Sequence, residues 1–92
     1  MLNYDEFKEL VIEKLKDYFP EPYRDYEMAV HPVFRTNEVK DGITLQRSGQ
    51  TISPTIYIQD MYQAYRSGND LNDVLKHYAD FYVEKSQQMD IN

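Results

Sequence analysis

Hydrophobic side chains recur every three or four positions at the start of the chain, which is the spacing of one face of an α-helix. Asn3 suits the position before the first helical turn, and Glu6 lies three residues later, as in a capping box. Pro20 and Pro22 end the pattern because neither can donate a backbone hydrogen bond. The pattern predicts a first helix whose apolar face comprises Phe7, Leu10, Val11, Leu15, Tyr18 and Phe19.

After these prolines, apolar and polar positions alternate, as in a half-buried β-strand, and Pro32 favours an edge position or a bulge. A second strand is predicted near residues 43–47. The connecting turn has three alternatives: a two-residue turn at Asn37-Glu38, another at Asp41-Gly42, or a four-residue loop over 38–41. All three pair even positions with odd ones. Each therefore places the same apolar set on one face of the hairpin: Met28, Val30, Phe34, Ile43 and Leu45.

Two more helices are predicted in the C-terminal half of the chain. Ser53-Pro54 is typical of a helix start, whereas Thr55-Ile56-Tyr57 would alternatively form a short third strand before it. Gly68 ends that helix, and Asp70 caps a last helix whose periodicity is lost after Lys85. The two apolar stripes comprise Ile58, Met61, Tyr62 and Tyr65, and then Leu71, Val74, Leu75, Tyr78 and Tyr82.

The order helix, hairpin, helix, helix predicts an α+β fold. A two-stranded hairpin is not stable alone, so the helices must pack on its apolar face. We expect a two-layer α-β-β-α-α arrangement, with helices on one face of a small antiparallel hairpin or sheet. A single domain is predicted over residues 1–85, and a flexible tail or the start of a linker over 86–92.

One stretch of the C-terminal half resembles a known family. The run Ile52-Ser53-Pro54-Thr55-Ile56-Tyr57-Ile58, followed by Tyr62, Tyr65, Gly68, Leu71 and Val74, is similar to a domain of unknown function in uncharacterised proteins of gut-dwelling Gram-positive bacteria. The first helix and the segment Asp41–Leu45 resemble the N-terminal part of the same family. Its members are typically longer, which implies an N-terminal module. The family turn often reads Asn-Asn-Gly, and Glu38 departs from it. The resemblance implies no activity and no site residues.

The 92-residue chain contains no cysteine and carries a formal net charge of −6. The lack of cysteine excludes a disulfide framework, a thiolate zinc site and a cysteine nucleophile. Binding nucleic acid through its phosphates needs clustered Lys and Arg, so the acidic charge argues against that partner. The apolar run Leu10–Ile12 is far too short to span a membrane, and residues 1–6 lack the pattern of a signal peptide. We therefore expect a cytoplasmic protein that binds neither nucleic acid nor a membrane.

Asp73, His77 and Asp80 lie at positions i, i+4 and i+7 of the predicted last helix, so one surface can carry all three. Such a set could hold a divalent ion, or a carboxylate could orient the imidazole. The alternative is an ordinary solvated helix face, because one histidine and two short carboxylates rarely complete a metal site. The chain has no P-loop, dinucleotide fingerprint or paired-histidine zinc motif. We expect no cofactor and no catalytic residue, and these three are the only candidate metal ligands.

Tyrosine is unusually frequent, with nine residues in the chain and no tryptophan. A small domain cannot bury that many hydroxyl groups with partners. The rings therefore either line the edge of the core with their hydroxyls in water, or form a contact face for another protein. The predicted interaction residues are the five in the C-terminal half: Tyr57, Tyr62, Tyr65, Tyr78 and Tyr82.

These patterns favour a non-catalytic protein-interaction or docking module of a cytoplasmic protein, and the resemblance implies that the whole protein is larger and bacterial. The expected partner is another protein, or the chain's own C-terminal region if the natural protein is longer. One alternative is a fragment of a metal-dependent enzyme, and another is an acidic decoy that mimics nucleic acid. An enzyme is less favoured because the sequence contains no catalytic constellation.

Overall fold

The computed structural model describes residues 1–21 and 23–90. Within them, three α-helices accompany a four-stranded antiparallel sheet, which confirms the predicted α+β class. The elements in chain order are α1 (Tyr4–Lys14), β1 (Glu27–Arg35), β2 (Glu38–Arg47), β3 (Gln50–Thr51), β4 (Ile56–Tyr57), α2 (Ile58–Arg66) and α3 (Leu71–Asp90).

Helix α1 begins at the predicted capping box. The Glu6 N–H donates to Asn3 Oδ1 at 2.9 Å, and the Asn3 N–H donates to Glu6 Oε1 at 3.0 Å. The α-helix ends at Lys14, and a 3₁₀ turn over Leu15–Tyr18 continues it. The helical stretch therefore stops shortly before Pro20, whereas Pro22 lies outside the described residues.

Strand β2 is the centre of the sheet. It pairs with β1 along one edge, and with both short strands β3 and β4 along the other. The alternative of a third strand before α2 is confirmed, because Ile56–Tyr57 is strand β4 and α2 begins only at Ile58. Ser53 does not start a helix. Its Oγ instead accepts a 2.8 Å hydrogen bond from the Leu45 N–H, which ties the loop after β3 to the central strand.

All three predicted positions of the hairpin turn are wrong. Arg35 pairs with Glu38, so the turn consists of Thr36 and Asn37, and both Asp41 and Gly42 lie inside β2. Gly42 serves close packing instead of a turn. A Cβ at this position would lie 2.8 Å from Val33 Cγ2 and 2.9 Å from Thr55 Cγ2, so only glycine lets these side chains approach.

The predicted face assignment is nevertheless confirmed, because the observed register also pairs even positions with odd ones. Met28 lies opposite Leu45 and Val30 lies opposite Ile43. Phe34 shares this face but lies next to the turn, where it is 77% exposed. The largest fully buried side chains of the core are Tyr82, Phe7, Phe19, Leu15, Ile43, Leu45, Ile58, Met61, Leu75 and Val11.

Helix α3 begins with the predicted cap and runs further than predicted. The Asn72 N–H donates to Asp70 Oδ2 at 3.0 Å. The helix continues to Asp90, past Lys85, where the sequence pattern predicts its end. Residues 86–90 are therefore helical, and residues 91–92 lie outside the described residues. The flexible tail or start of a linker predicted over 86–92 stays a prediction. The domain limits themselves stay a prediction.

None of the helices in the described part of the chain is both long enough and apolar enough to cross a membrane.

Candidate functional site

The three candidate metal ligands on α3 do not form one group. Asp73 and His77 line a surface cleft, whereas Asp80 Oδ2 lies 3.3 Å from Lys76 Nζ. Asp80 lies seven positions after Asp73 along the helix, a rise of about 10 Å that exceeds the reach of two short carboxylates to one ion. Among the described residues, no cluster of three or more His, Asp or Glu side chains is placed to hold a metal.

The five predicted interaction tyrosines do not share one surface either. Tyr82 is fully buried, and its hydroxyl donates to the Ile43 carbonyl of β2, so its assignment to a contact face is wrong. The physical reason is that a buried tyrosine hydroxyl needs a partner, and a strand carbonyl supplies one here. Burial also raises the pKa of the Tyr82 phenol.

Tyr62 and Tyr65 hold the N-terminal segment against α2. The Tyr62 hydroxyl donates to the Leu2 carbonyl at 3.0 Å, and the Leu2 N–H donates to the Tyr65 hydroxyl at 3.1 Å. Both rings also pack on Phe7, with centroid distances of 5.2 and 5.3 Å. These contacts are intramolecular, so the two tyrosines have a structural role in the fold.

Tyr57 lies under two cations of the β-hairpin. The Arg35 guanidinium carbon is 5.2 Å and Lys40 Nζ is 5.3 Å from the ring centroid, within the range of cation–π contacts. Arg35 also donates a hydrogen bond to the Tyr57 hydroxyl. This hydrogen bond is the main cause of the raised pKa of the Arg35 guanidinium. Tyr57 therefore links β4 to the outer end of the hairpin.

Tyr78, the fifth tyrosine, lies in the same cleft as Asp73 and His77. We call this the α2–α3 cleft, because the end of α2 and the first turns of α3 form its walls. It has a volume of about 440 Å³ and is open to solvent. Its lining residues are Ala64, Asn69, Asp73, Val74, His77 and Tyr78. The structure thus brings together two candidate metal ligands and one predicted interaction tyrosine.

The local sequence explains why the cleft forms. Helix α2 ends where the Asn69 Nδ2 donates to the Ala64 carbonyl at 2.8 Å, and Gly68 adopts a φ of +106°, which glycine favours. The chain then reverses into α3, so that Ala64 faces the first turns of that helix. Because Ala64 has a short side chain, space remains between the two helices.

Acceptor groups and an aromatic ring determine the chemistry of the cleft. Asp73 and His77 are exposed, and the His77 and Tyr78 rings meet edge to face at a centroid distance of 5.3 Å. Burial, and to a smaller extent the charge of Asp60, raises the pKa of the half-buried Tyr78 phenol. No Lys or Arg belongs to the lining formed by described residues. Such a site can bind a donor-rich or cationic group.

Sequence reasoning missed Ala64 and Asn69 as site residues. Both carry ordinary helix-end signals, and their place in a cleft depends on how α2 and α3 pack together. It also missed a polar cluster around Asp41. There the Tyr4 hydroxyl donates to Asp41 Oδ2 at 2.5 Å, and Lys8 Nζ lies 3.3 Å from Asp41 Oδ1. These contacts join α1 to β2.

We expect Tyr4→Phe to lower the free energy of unfolding by about 1 kcal/mol near neutral pH, since it removes a partly exposed hydrogen bond to a carboxylate. The Tyr4 hydroxyl is the main reason why the Asp41 pKa lies below its ordinary value, and Lys8 adds to this. A lowered pKa stabilises the fold above about pH 4, and this stability is lost as the pH falls further. Urea denaturation of both proteins at neutral and acidic pH measures the difference.

The variant should therefore show a shallower loss of stability below about pH 4 than the wild type. Tyr26→Phe is the matched control, because the Tyr26 hydroxyl accepts from Arg47 Nη1 at 3.3 Å and contacts no carboxylate in the described structure. An equal acid dependence in Tyr4→Phe and the wild type would contradict the role assigned to Asp41.

Comparison with known proteins finds one family. The chain matches a family of unknown function, DUF5688, over residues 4–92. No curated protein and no solved structure gives a significant match to the chain. Since the matched segment spans nearly the whole sequence, the chain belongs to the family of unknown function DUF5688.

Proposed function

We propose that this chain is a non-catalytic protein-interaction or docking module of a larger protein, with the α2–α3 cleft as its contact site. The partner is another protein, or a C-terminal region of the same chain where the natural protein is longer. The observation that carries the proposal is the cleft itself: about 440 Å³, open to solvent, and lined by both apolar and polar side chains.

The size and lining of the cleft support this proposal. Its volume lies within the roughly 300–1,000 Å³ typical of ligand-binding clefts. Val74 supplies a buried apolar floor, whereas Asp73 and His77 place polar groups at the opening. This combination of an apolar base with a few polar groups suits the capture of a single side chain, which is how interface anchors bind.

The setting of the module is part of the same proposal. The resemblance to proteins of gut-dwelling Gram-positive bacteria supports a bacterial origin. The absence of cysteine supports a cytoplasmic location, because small secreted domains commonly depend on disulfides. The enzyme-fragment alternative gains no support from the described residues, because they contain no cluster placed to hold a metal. The acidic-decoy alternative stays a prediction.

We expect Ala64→Met to weaken partner binding by about ten-fold or more, because the longer side chain fills the cleft while keeping a high helix propensity. Affinity capture from the source cells with the full chain, quantified by mass spectrometry, compares the variant with the wild type. A partner should lose about ten-fold or more in recovery, equivalent to about 1.4 kcal/mol.

Gln63→Met is the matched control, since it introduces the same side chain at the neighbouring exposed position of α2, outside the cleft lining. Circular dichroism of both variants checks that they keep the fold. If every captured protein is recovered equally with both variants, the cleft is not the contact site and the proposal fails.

A further inference from the structure

We propose that the α2–α3 cleft receives the guanidinium group of an arginine side chain from the partner. The inference rests on the proposed function and specifies the chemistry that the contact site recognises. It is drawn from the acceptors in the cleft, the charges around it and the exposed part of the Tyr78 ring.

The Asp73 carboxylate is the anionic group in the lining of the cleft. Within the described part of the chain, Asp73 has no salt bridge, although cations lie on neighbouring elements. Lys76 lies 3.3 Å from Asp80, and Lys40 lies 3.6 Å from Asp60. Lys76, three positions after Asp73 on α3, is therefore paired with Asp80, and Asp73 is free to bind a cation from outside.

Two aromatic rings, Tyr78 and His77, lie beside this carboxylate in the cleft lining. Tyr78 is half-buried in the cleft, and His77 lies edge to face against it. A planar guanidinium can stack on an aromatic face while its N–H groups donate to a carboxylate, and a compact ammonium cannot do both equally well. The presence of a carboxylate, Asp73, and an aromatic ring, Tyr78, in the lining of one cleft thus favours arginine as the bound side chain.

The charge of the whole protein also favours a cationic ligand. The formal net charge is −6, and residues 53–92, which carry the cleft, contain six acidic against three basic residues. This field attracts a basic segment and accelerates its encounter with the cleft. An acidic partner segment would be repelled by the same charges.

The test is an NMR titration of the full chain with Nα-acetyl-arginine amide, and with Nα-acetyl-citrulline amide as the neutral analogue of the same shape. We expect saturable shifts at Val74, His77 and Tyr78 with the arginine compound and none with citrulline. Equal shifts with both compounds, or no shift with arginine, would overturn the assignment of a guanidinium site.

Asp73→Asn should lower the affinity for the arginine compound by about two- to five-fold, the range expected for losing an exposed charge pair. Glu84→Gln is the matched control on the same helix, because Glu84 is exposed, lies outside the cleft lining and has no salt bridge in the described structure; it should leave the affinity unchanged. Equal effects of the two variants would mean that only the overall charge matters, which contradicts a site at Asp73.

Failure of this inference can be told apart from failure of the proposed function. If Ala64→Met lowers partner recovery as expected while the arginine compound causes no shifts at Val74, His77 and Tyr78, the contact site stands and the guanidinium assignment is wrong. If the arginine compound binds at the cleft while partner recovery is insensitive to Ala64→Met, the guanidinium assignment holds and the docking function is wrong.

Discussion

Tyr82→Ala is expected to lower the free energy of unfolding by about 3–5 kcal/mol, the usual cost of removing a large buried aromatic side chain. Tyr82 is completely buried and packs edge to face on Phe19 at a centroid distance of 5.9 Å. Its position in α3 lets the ring join that helix to the turn after α1. Because small domains are stable by only about 5–15 kcal/mol, the loss is a large part of the total. Urea denaturation monitored by circular dichroism measures it.

Tyr82→Phe separates the hydroxyl group from the ring. The variant keeps the packing but leaves the Ile43 carbonyl, buried between β2 and β4, without its hydroxyl donor. We expect the free energy of unfolding to fall by about 0.5–1.5 kcal/mol, the net contribution of one hydrogen bond, because Ile43 keeps its pairing with Ile56 of β4. Tyr18→Phe is the matched control, since the Tyr18 hydroxyl donates to Asn72 Oδ1 at an exposed site. Its removal should lower the free energy of unfolding by less than the removal of the Tyr82 hydroxyl.

The pH dependence provides a second measurement for Tyr82. Burial raises the pKa of its phenol, so folding disfavours ionisation. The resulting stability is complete below about pH 10 and is lost as the pH rises further, because the unfolded chain then releases the proton more readily. Tyr82→Phe should weaken this alkaline loss. A variant as stable as the wild type, with the same alkaline profile, would show that the hydroxyl is not bonded to the sheet.

The second large effect is expected for Gly42→Ala, which should lower the free energy of unfolding by about 1–3 kcal/mol through overpacking. The added Cβ would lie closer than 3 Å to methyl groups of Val33 and Thr55. Both residues are β-branched and stiff at χ1, so neither can easily turn aside. Without this clash, alanine would stabilise a strand interior relative to glycine. The sign of the measured change therefore decides between close packing and ordinary backbone entropy.

A second substitution, Val33→Ala, should relieve the clash that Gly42→Ala creates. It removes the Cγ2 atom that lies 2.8 Å from the added Cβ. The double variant Gly42→Ala/Val33→Ala should be less destabilised than the sum of the two single variants, because the residues are in direct contact. Strict additivity of the two changes would exclude the clash with Val33 as the cause.

Local sequence signals were sufficient for most of the helices and for the face of the hairpin. The capping box at Asn3 and Glu6 and the cap at Asp70 are short-range features, so they form wherever the chain allows a helix. The hairpin face was predictable because strand side chains alternate with a period of two. Any register that pairs even with odd positions then leaves Val30 and Ile43 together.

The same signals failed where two segments distant in sequence meet. Asp41-Gly42 is a strong generic turn signal, but Gly42 is needed inside β2 for the approach of Val33 and Thr55. The start of α2 was ambiguous for a similar reason. Strand β4 contains only two residues, and it exists because Ile56 and Tyr57 find partners in β2.

For the candidate site, the sequence determined which residues carry chemistry, and the tertiary structure decided which of them come together. Asp73, His77 and Tyr78 were all recognisable as polar or aromatic positions of one helix. The packing of α2 against α3 then added Ala64 to their surroundings and left space for a side chain. Asp80 lies outside the cleft because it is a further turn along α3, where it pairs with Lys76. Tyr82 lies outside the cleft because it is buried against β2. The physical reason is that periodicity assigns a side chain to a face, whereas its neighbours on that face depend on contacts made across the fold.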